Sequence, residues 1–202
     1  MVGKPRQHDR LSPDLCIITG LNIDLEFTIS PWRITLTTSA YEPERFRSPE
    51  YLAVLDKAEA ATQLRIPSSC LKSMKTQAEA GYPLEICGLL IGSINGNGWS
   101  ISDVRQVDNL NRERAADRFE LDPKAYQRID RELRGSGNEI VGVYHSHPDC
   151  PAKPSPTDLD SAWEGFAYPI ISICDGKAAE LRCWSINEKG NQFQNNCIQE
   201  TV

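Results

Sequence analysis

The stretch from Tyr144 to Asp160 reads YHSHPDCPAKPSPTDLD and carries two of the chain's three histidines, His145 and His147, with Ser155 and Asp158 downstream. Imidazole nitrogens and carboxylate oxygens are the donors that zinc and its neighbours accept. The histidines alternate on a segment that opens as an apolar strand (Ile140, Val141, Val143), so they project to one side and can share one ion. Asp158 can complete a set of three protein ligands. Zinc held by two nitrogens and one carboxylate keeps a fourth tetrahedral position for water, as catalytic rather than structural sites do. Hydrolysis is the leading expectation. Two other readings use the same residues: histidines satisfied by ordinary hydrogen bonds, and the facial triad of a non-haem iron oxygenase. Ser155-Pro156-Thr157-Asp158 is also a helix-start pattern related to the capping box. The two roles are compatible, since a carboxylate in a first helical turn is favoured by the dipole and can still reach an ion beyond the helix end.

His145-Ser146-His147-Pro148, followed by Ser155 and Asp158, resembles the signature of the JAMM (MPN-plus) metallopeptidases in both residues and spacing. That family places a glutamate on an earlier strand, and Glu85 here precedes the apolar run Ile86-Cys87-Gly88-Leu89-Leu90-Ile91-Gly92. The resemblance covers roughly the last two thirds of the chain. It implies His145, His147 and Asp158 as ligands of one zinc per chain. It implies Glu85 as the group that takes a proton from water and returns one to the leaving amine. Ser155 would cap its helix and also donate its hydroxyl proton to the carbonyl oxygen as charge develops there. The fold implied is mixed α/β, a mainly antiparallel sheet flanked by helices with cytidine-deaminase-like layering. The bond implied is an amide or isopeptide, and small members of the family look like the bacterial branch that trims ubiquitin-like sulfur-carrier proteins after a Gly-Gly tail. A non-catalytic MPN scaffold is the alternative within the fold, and the intact ligand set argues against it. Cys87 and Cys150 lie near these residues in sequence and are read as packed or exposed thiols rather than ligands.

Composition narrows the partners. The formal charge is −6, and no block of Lys and Arg offers a phosphate-binding surface, so protein or small molecule is expected rather than nucleic acid. Seven cysteines form an odd set with no Cys-X-X-Cys pair, which suits reduced thiols and a cytoplasmic setting. The apolar stretch Leu15 to Leu21 is short and flanked by Asp14, Asn22 and Asp24, so neither a secretory leader nor a membrane span is expected.

The elements that must position these residues are legible from punctuation and period. Residues 1–62 mix β-favouring runs (Leu25 to Ile29, Trp32 to Thr38) with a helical pattern from Ser48-Pro49 to about Leu64. They read as an N-terminal extension without a motif, a linker helix or a flexible prefix, ahead of a metallopeptidase domain over 63–202. A helix from Pro67-Ser68 through Leu71, Met74 and Ala78 stops at Gly81 and Pro83 and leads to the Glu85 strand. Asn95-Gly96-Asn97-Gly98 turns the chain into Trp99–Val107. Asp122-Pro123 starts a helix with Ala125, Ile129 and Leu133 on its apolar face, and the histidine strand follows. A short helix from Ser155-Pro156, a hairpin of 168–174 with 178–186 and a last strand near 193–198 complete the domain. Trp163, Phe166, Tyr168 and Trp184 are expected to serve as packing, and Asn109 and Asn111 as turn residues.

Overall fold

In this computed structural model residues 25–30, 33–38, 42–96 and 98–202 are described, and the expectations that fall on 1–24, Trp32 and Asn97 lie outside them. The chain divides into two compact units, Met1–Thr38 and Ser39–Val202. In the first, β1 (Leu25–Ser30) and β2 (Arg33–Thr38) form an antiparallel hairpin with Leu25 opposite Thr38. The second carries everything else, including residues 42–62, which were expected to precede the domain.

Helices begin where the sequence offers a cap. Ser48 Oγ accepts the Tyr51 N–H at 3.4 Å and Pro49 opens α1 (Pro49–Ala53). This helix is much shorter than the Ser48-to-Leu64 pattern suggested. The backbone after it is claimed by the last strand of the sheet, with Phe193 N–H donating to Val54 O at 2.7 Å and Asp56 N–H to Phe193 O at 2.8 Å. The chain then enters β3 (Gln63–Pro67). Helix α2 (Ser68–Gly81) buries Cys70, Leu71, Met74 and Ala78 at helical spacing. Helix α3 (Pro123–Leu133), capped by Asp122 on the Lys124 N–H, buries Ala125, Ile129 and Leu133.

The strands β4 (Cys87–Asn95), β5 (Gly98–Val107), β6 (Glu139–Pro148), β7 (Tyr168–Cys174), β8 (Lys177–Ile186) and β9 (Phe193–Thr201) join β3 in a closed barrel ordered β3-β5-β4-β6-β7-β8-β9. Pairing is parallel where β3 meets β5 and β9 and where β6 meets β7, and antiparallel elsewhere. The mixed, mainly antiparallel sheet with helices is thus as expected. Its closure through the parallel β3–β9 pair is a long-range event with no local signal. The short α4 (Pro156–Asp160) follows β6. No helix of the described residues is long and apolar enough to cross a membrane.

One irregularity sets which way β6 faces. Its pairing with β4 runs Leu90 to Gly142 and then Ile91 to Ile140, leaving Val141 out of register. Val141 and Tyr144 therefore pack in the cluster beneath α2, while Ile140 and Val143 join the cluster that includes α3. Regular alternation from Val143 then carries His145 and His147 to that second side. Gly142 sits at the crossing, where an added Cβ would lie 2.2 Å from Ala167 O and 2.9 Å from Leu90 Cδ1. Gly142→Ala is expected to destabilise by about 1–3 kcal/mol, a Tm loss of several degrees in thermal denaturation.

Candidate metal centre

The end of β6 is held from both sides. His145 lies opposite Cys87 of β4 and Ile170 of β7, and His147 lies opposite Ser172 of β7. With neighbours paired on each flank, the register that aims the two rings is fixed. Both rings reach a cavity of about 270 Å³ that is also lined by Glu85, Ser155 and Asp158.

The imidazoles meet Nε2 to Nε2 at 3.0 Å, and His145 Nε2 lies 3.7 Å from Asp158 Oδ1. One donor atom from each of the three residues falls within 4.8 Å of the others. His147 Nδ1 is 2.7 Å from Pro151 O. A carbonyl only accepts, so the ring proton sits on Nδ1 and Nε2 presents its lone pair to the cavity. The loop that supplies this carbonyl is itself tied down, by Ser172 Oγ donating to Cys150 O at 2.6 Å and Trp184 Nε1 donating to Ala152 O at 2.9 Å. Burial pushes the His145 pKa down to about 4 and lowers that of His147, so both rings stay neutral, the form that binds metals. His145 Nδ1 is buried without a hydrogen-bond partner among the described residues, and the Phe119 ring lies 4.6 Å from the imidazole centroid. His145 Nε2, His147 Nε2 and Asp158 Oδ1 converge as a donor set that suits a divalent cation, while the other nitrogen of the His145 ring, Nδ1, is the one left without a partner.

Asp158 divides its two oxygens between structure and site. Ser155 N–H donates to Oδ2 at 2.6 Å, and Asp158 N–H donates to Ser155 Oγ at 3.2 Å, a reciprocal capping box at the start of α4. Oδ1 is left facing His145. Burial alone would raise the Asp158 pKa, but the adjoining His145 and His147 and the two Ser155 hydrogen bonds hold it below the usual carboxylate range. The cap occupies a lone pair of the Ser155 hydroxyl, whose proton can be offered either to the Asp158 carboxylate or to an acceptor in the cavity.

Glu85 stands just before β4 and is fixed through its backbone. Its N–H donates to Ala115 O at 2.7 Å, and its carbonyl accepts from Asn109 Nδ2 at 3.0 Å. The next residue is clamped to the histidine strand, with Ile86 N–H donating to Ser146 Oγ and Ser146 N–H to Ile86 O, both at 3.0 Å. Burial first, then the nearby Asp158 and Asp117 charges, push the Glu85 pKa up to about 9. A divalent cation at the adjoining donor set opposes that rise and favours the carboxylate.

Two residues that hold this arrangement carried no signal of their own. Ser146 is fully buried between the histidines, and its hydroxyl is what ties Glu85's segment to β6. Asn109, expected only to turn the chain, also donates to Arg118 O and accepts from the Asn111 and Glu120 N–H groups, so both of its amide hydrogens and its carbonyl are engaged. It knits the loop of 109–120 onto Glu85. Cys87 is buried, its thiol 3.8 Å from the carbonyls of Val107 and Asp108, and it does not line the cavity. Cys150 does line it. So do Trp163 and Tyr168, beyond the packing role expected of them, and so do Arg45, Phe46 and Tyr51 from ahead of β3.

Two measurements test the electrostatics and the scaffold. Glu85 is ionised at a pH above about 4.5 when unfolded and only above about 9 when folded, so the folded chain binds the extra proton between these values and loses stability as pH rises through them. In denaturant unfolding with chelator present, Glu85→Gln is expected to be more stable than wild type by roughly 1–3 kcal/mol at pH 8, with the gap closing toward pH 4.5. Asn109→Ala is expected to cut turnover about 10- to 100-fold while metal content stays at the wild-type level, because it removes the bond to the Glu85 carbonyl without touching the donor set.

Comparison with known proteins agrees in extent with these elements. The family described as prokaryotic homologs of the JAB domain matches residues 67–187. A desampylase of Haloferax volcanii is 35% identical over 106 residues, which is 52% of this chain and 73% of that protein. A CysO-cysteine peptidase of Mycobacterium tuberculosis is 30% identical over 124 residues, 61% of this chain and 82% of that one. The solution structure of a protein from Desulfitobacterium hafniense superposes with a TM-score of 0.59 at 25% identity, covering 68% of this chain and 92% of the other.

Proposed function

Because the chain belongs to the prokaryotic homologs of the JAB domain, a family of JAMM-type peptidases, we propose that it hydrolyses the amide bond following the C-terminal Gly-Gly of a small ubiquitin-like sulfur-carrier protein. His145, His147 and Asp158 hold one zinc ion, Glu85 moves the protons and Ser155 steadies the carbonyl oxygen. The observation that carries this reading is the convergence of His145 Nε2, His147 Nε2 and Asp158 Oδ1 beside a second, buried carboxylate, that of Glu85.

A zinc ion bound there supplies a Lewis acid for the scissile carbonyl and makes water acidic enough to attack near neutral pH. The chain does the rest. Glu85 accepts the proton that water gives up, and its high intrinsic proton affinity lets it hold that proton until the leaving nitrogen takes it. Ser155 Oγ–H donates to the carbonyl oxygen while its lone pair accepts the Asp158 N–H, so the same hydroxyl anchors the ligand and meets the substrate. A thin, extended Gly-Gly tail fits a cleft of this size, where a folded protein does not enter. The scaffold and iron-oxygenase readings of these residues give way to the family assignment. A cytoplasmic setting belongs to the same proposal, supported by six free cysteines among the described residues.

The test uses a Gly-Gly-tailed carrier extended by a C-terminal cysteine, with mass spectrometry reading the cut. Wild type is expected to hold about one zinc per chain and to cleave after Gly-Gly. Glu85→Gln should retain the zinc and lose at least about 100-fold in turnover, whereas Asp158→Ala should lose zinc itself. Wild-type turnover in Glu85→Gln would sink the assignment of that residue.

A further inference from the structure

The wall of the cavity nearest Cys150 is built by a segment outside the matched family region. A 3-10 turn at Glu44–Arg47 precedes α1 and brings Arg45, Phe46 and Tyr51 into the lining. Phe46 pins it: the ring is 3% exposed, 6.2 Å from the His147 ring and 4.8 Å edge-on from Tyr51. Glu42 and Lys153 clamp it from outside with an ion pair at 2.5 Å, joining it to the loop that follows the histidines. Arg45, although exposed, is therefore held at the mouth of the cleft.

Its guanidinium is under-used. Its hydrogen-bond and ring partners among the described residues are Cys150 Sγ at 3.2 Å and the face of its own neighbour Phe46 at 5.3 Å, and its charge reaches Glu85 and Asp117 only through space, favouring their carboxylates. A thiol is a weak acceptor, and a guanidinium has five N–H donors in a fork shaped for a carboxylate. The other arginine of the lining, Arg118, is already engaged by the Asp117 carbonyl at 2.7 Å and its carboxylate at 4.0 Å. Glu85, Asp117, Glu120 and Asp158 line the same cavity, so an anionic group that enters it away from the metal ligands meets repulsion unless a cation stands beside it.

We infer that Arg45 is a specificity-determining residue that binds the free α-carboxylate of a single amino acid on the leaving side of the scissile bond. The inference rests on the amide hydrolysis proposed above and commits it to one of two leaving groups. When one terminal amino acid leaves, its carboxylate lies two covalent bonds from the nitrogen that departs, inside the cleft with Arg45. When a lysine side chain of a conjugated protein leaves, four methylenes follow the nitrogen and no carboxylate is within reach. Arg45 therefore favours removal of a terminal residue from the carrier over release of a conjugated protein, and the preference originates in a segment that lies before residue 67, where the family match begins.

The experiment compares three carriers that share one Gly-Gly tail: one ending in cysteine with a free carboxylate, the same ending in cysteine amide, and one joined through Gly-Gly to a lysine side chain. Each is cleaved by the zinc-loaded wild type and by Arg45→Gln. Wild type is expected to prefer the free acid to the amide by about tenfold or more in kcat/KM, and Arg45→Gln to bring that ratio to near one, with Arg45→Lys in between. The acid-to-amide ratio is the readout because a merely structural role for Arg45 slows both substrates equally. A wild-type ratio near one, or equal slowing of acid and amide by the substitution, overturns the role of Arg45 while leaving the peptidase reading intact. Cleavage of none of the three carriers by zinc-loaded wild type overturns both.

Discussion

Two neutral imidazoles brought nitrogen to nitrogen at a desolvated strand end are the contact around which the rest of the site is arranged. Left in water, each ring would titrate near neutrality and find its own hydrogen bonds. Inside the barrel, β4 and β7 claim the backbone on both sides of β6, burial keeps the rings uncharged, and the Pro151 carbonyl decides which nitrogen of His147 is bare. Burying two imidazoles and a carboxylate oxygen this close together is costly unless a cation meets them. The fold accepts that cost because the strand that creates it is also the centre of two hydrophobic clusters, which stabilise the sheet irrespective of the site.

Each remaining functional group is held beside this strand by a polar bond that leaves its reactive atom free. Asp158 spends one oxygen on capping α4 and turns the other toward His145. Ser155 accepts the Asp158 N–H through a lone pair of its hydroxyl, which leaves the proton free to change acceptor. Glu85 is gripped only by its main chain, through Ala115 and Asn109, while Ser146 holds the following residue. Its carboxyl group is thereby positioned without being neutralised by a partner, and its pKa is set by burial and neighbouring charge. The same device recurs in each case: a backbone or secondary atom bears the structural load and the chemically active atom stays unoccupied.

The segment of 42–53 adds a wall that the matched family region does not supply. It is anchored by an aromatic contact with His147 and by the Glu42–Lys153 pair, and its exposed neighbours are tolerated because Phe193 of β9 pairs with the backbone at Val54 and Asp56. None of its residues belongs to the donor set, so a segment of this kind can vary independently of the hydrolytic centre it borders.

Much of this was legible in the amino-acid sequence. The spacing of His145, His147, Ser155 and Asp158 could be read because metal ligation demands particular atoms at particular intervals, and α2, α3 and the hairpins could be read because caps, turns and apolar period are local. The cap at Ser155 was equally visible, since both of its partners lie within one helical turn. What the sequence left open were the events that join distant segments. Ser48 to Leu64 carries a helical period, yet β9 ends the helix at Ala53 by competing for its backbone. Asn109 looks like any turn asparagine until the fold brings it to the Glu85 carbonyl. Arg45, Phe46 and Tyr51 belong to a stretch without a motif and reach the site only when the barrel closes. The sequence alone determined which atoms could hold a metal and move a proton, because that depends on chemical identity and short spacing. Which nitrogen is bare, which carboxyl is buried and which arginine faces the cleft were decided by tertiary structure, because they depend on what water is excluded and what lies across the sheet.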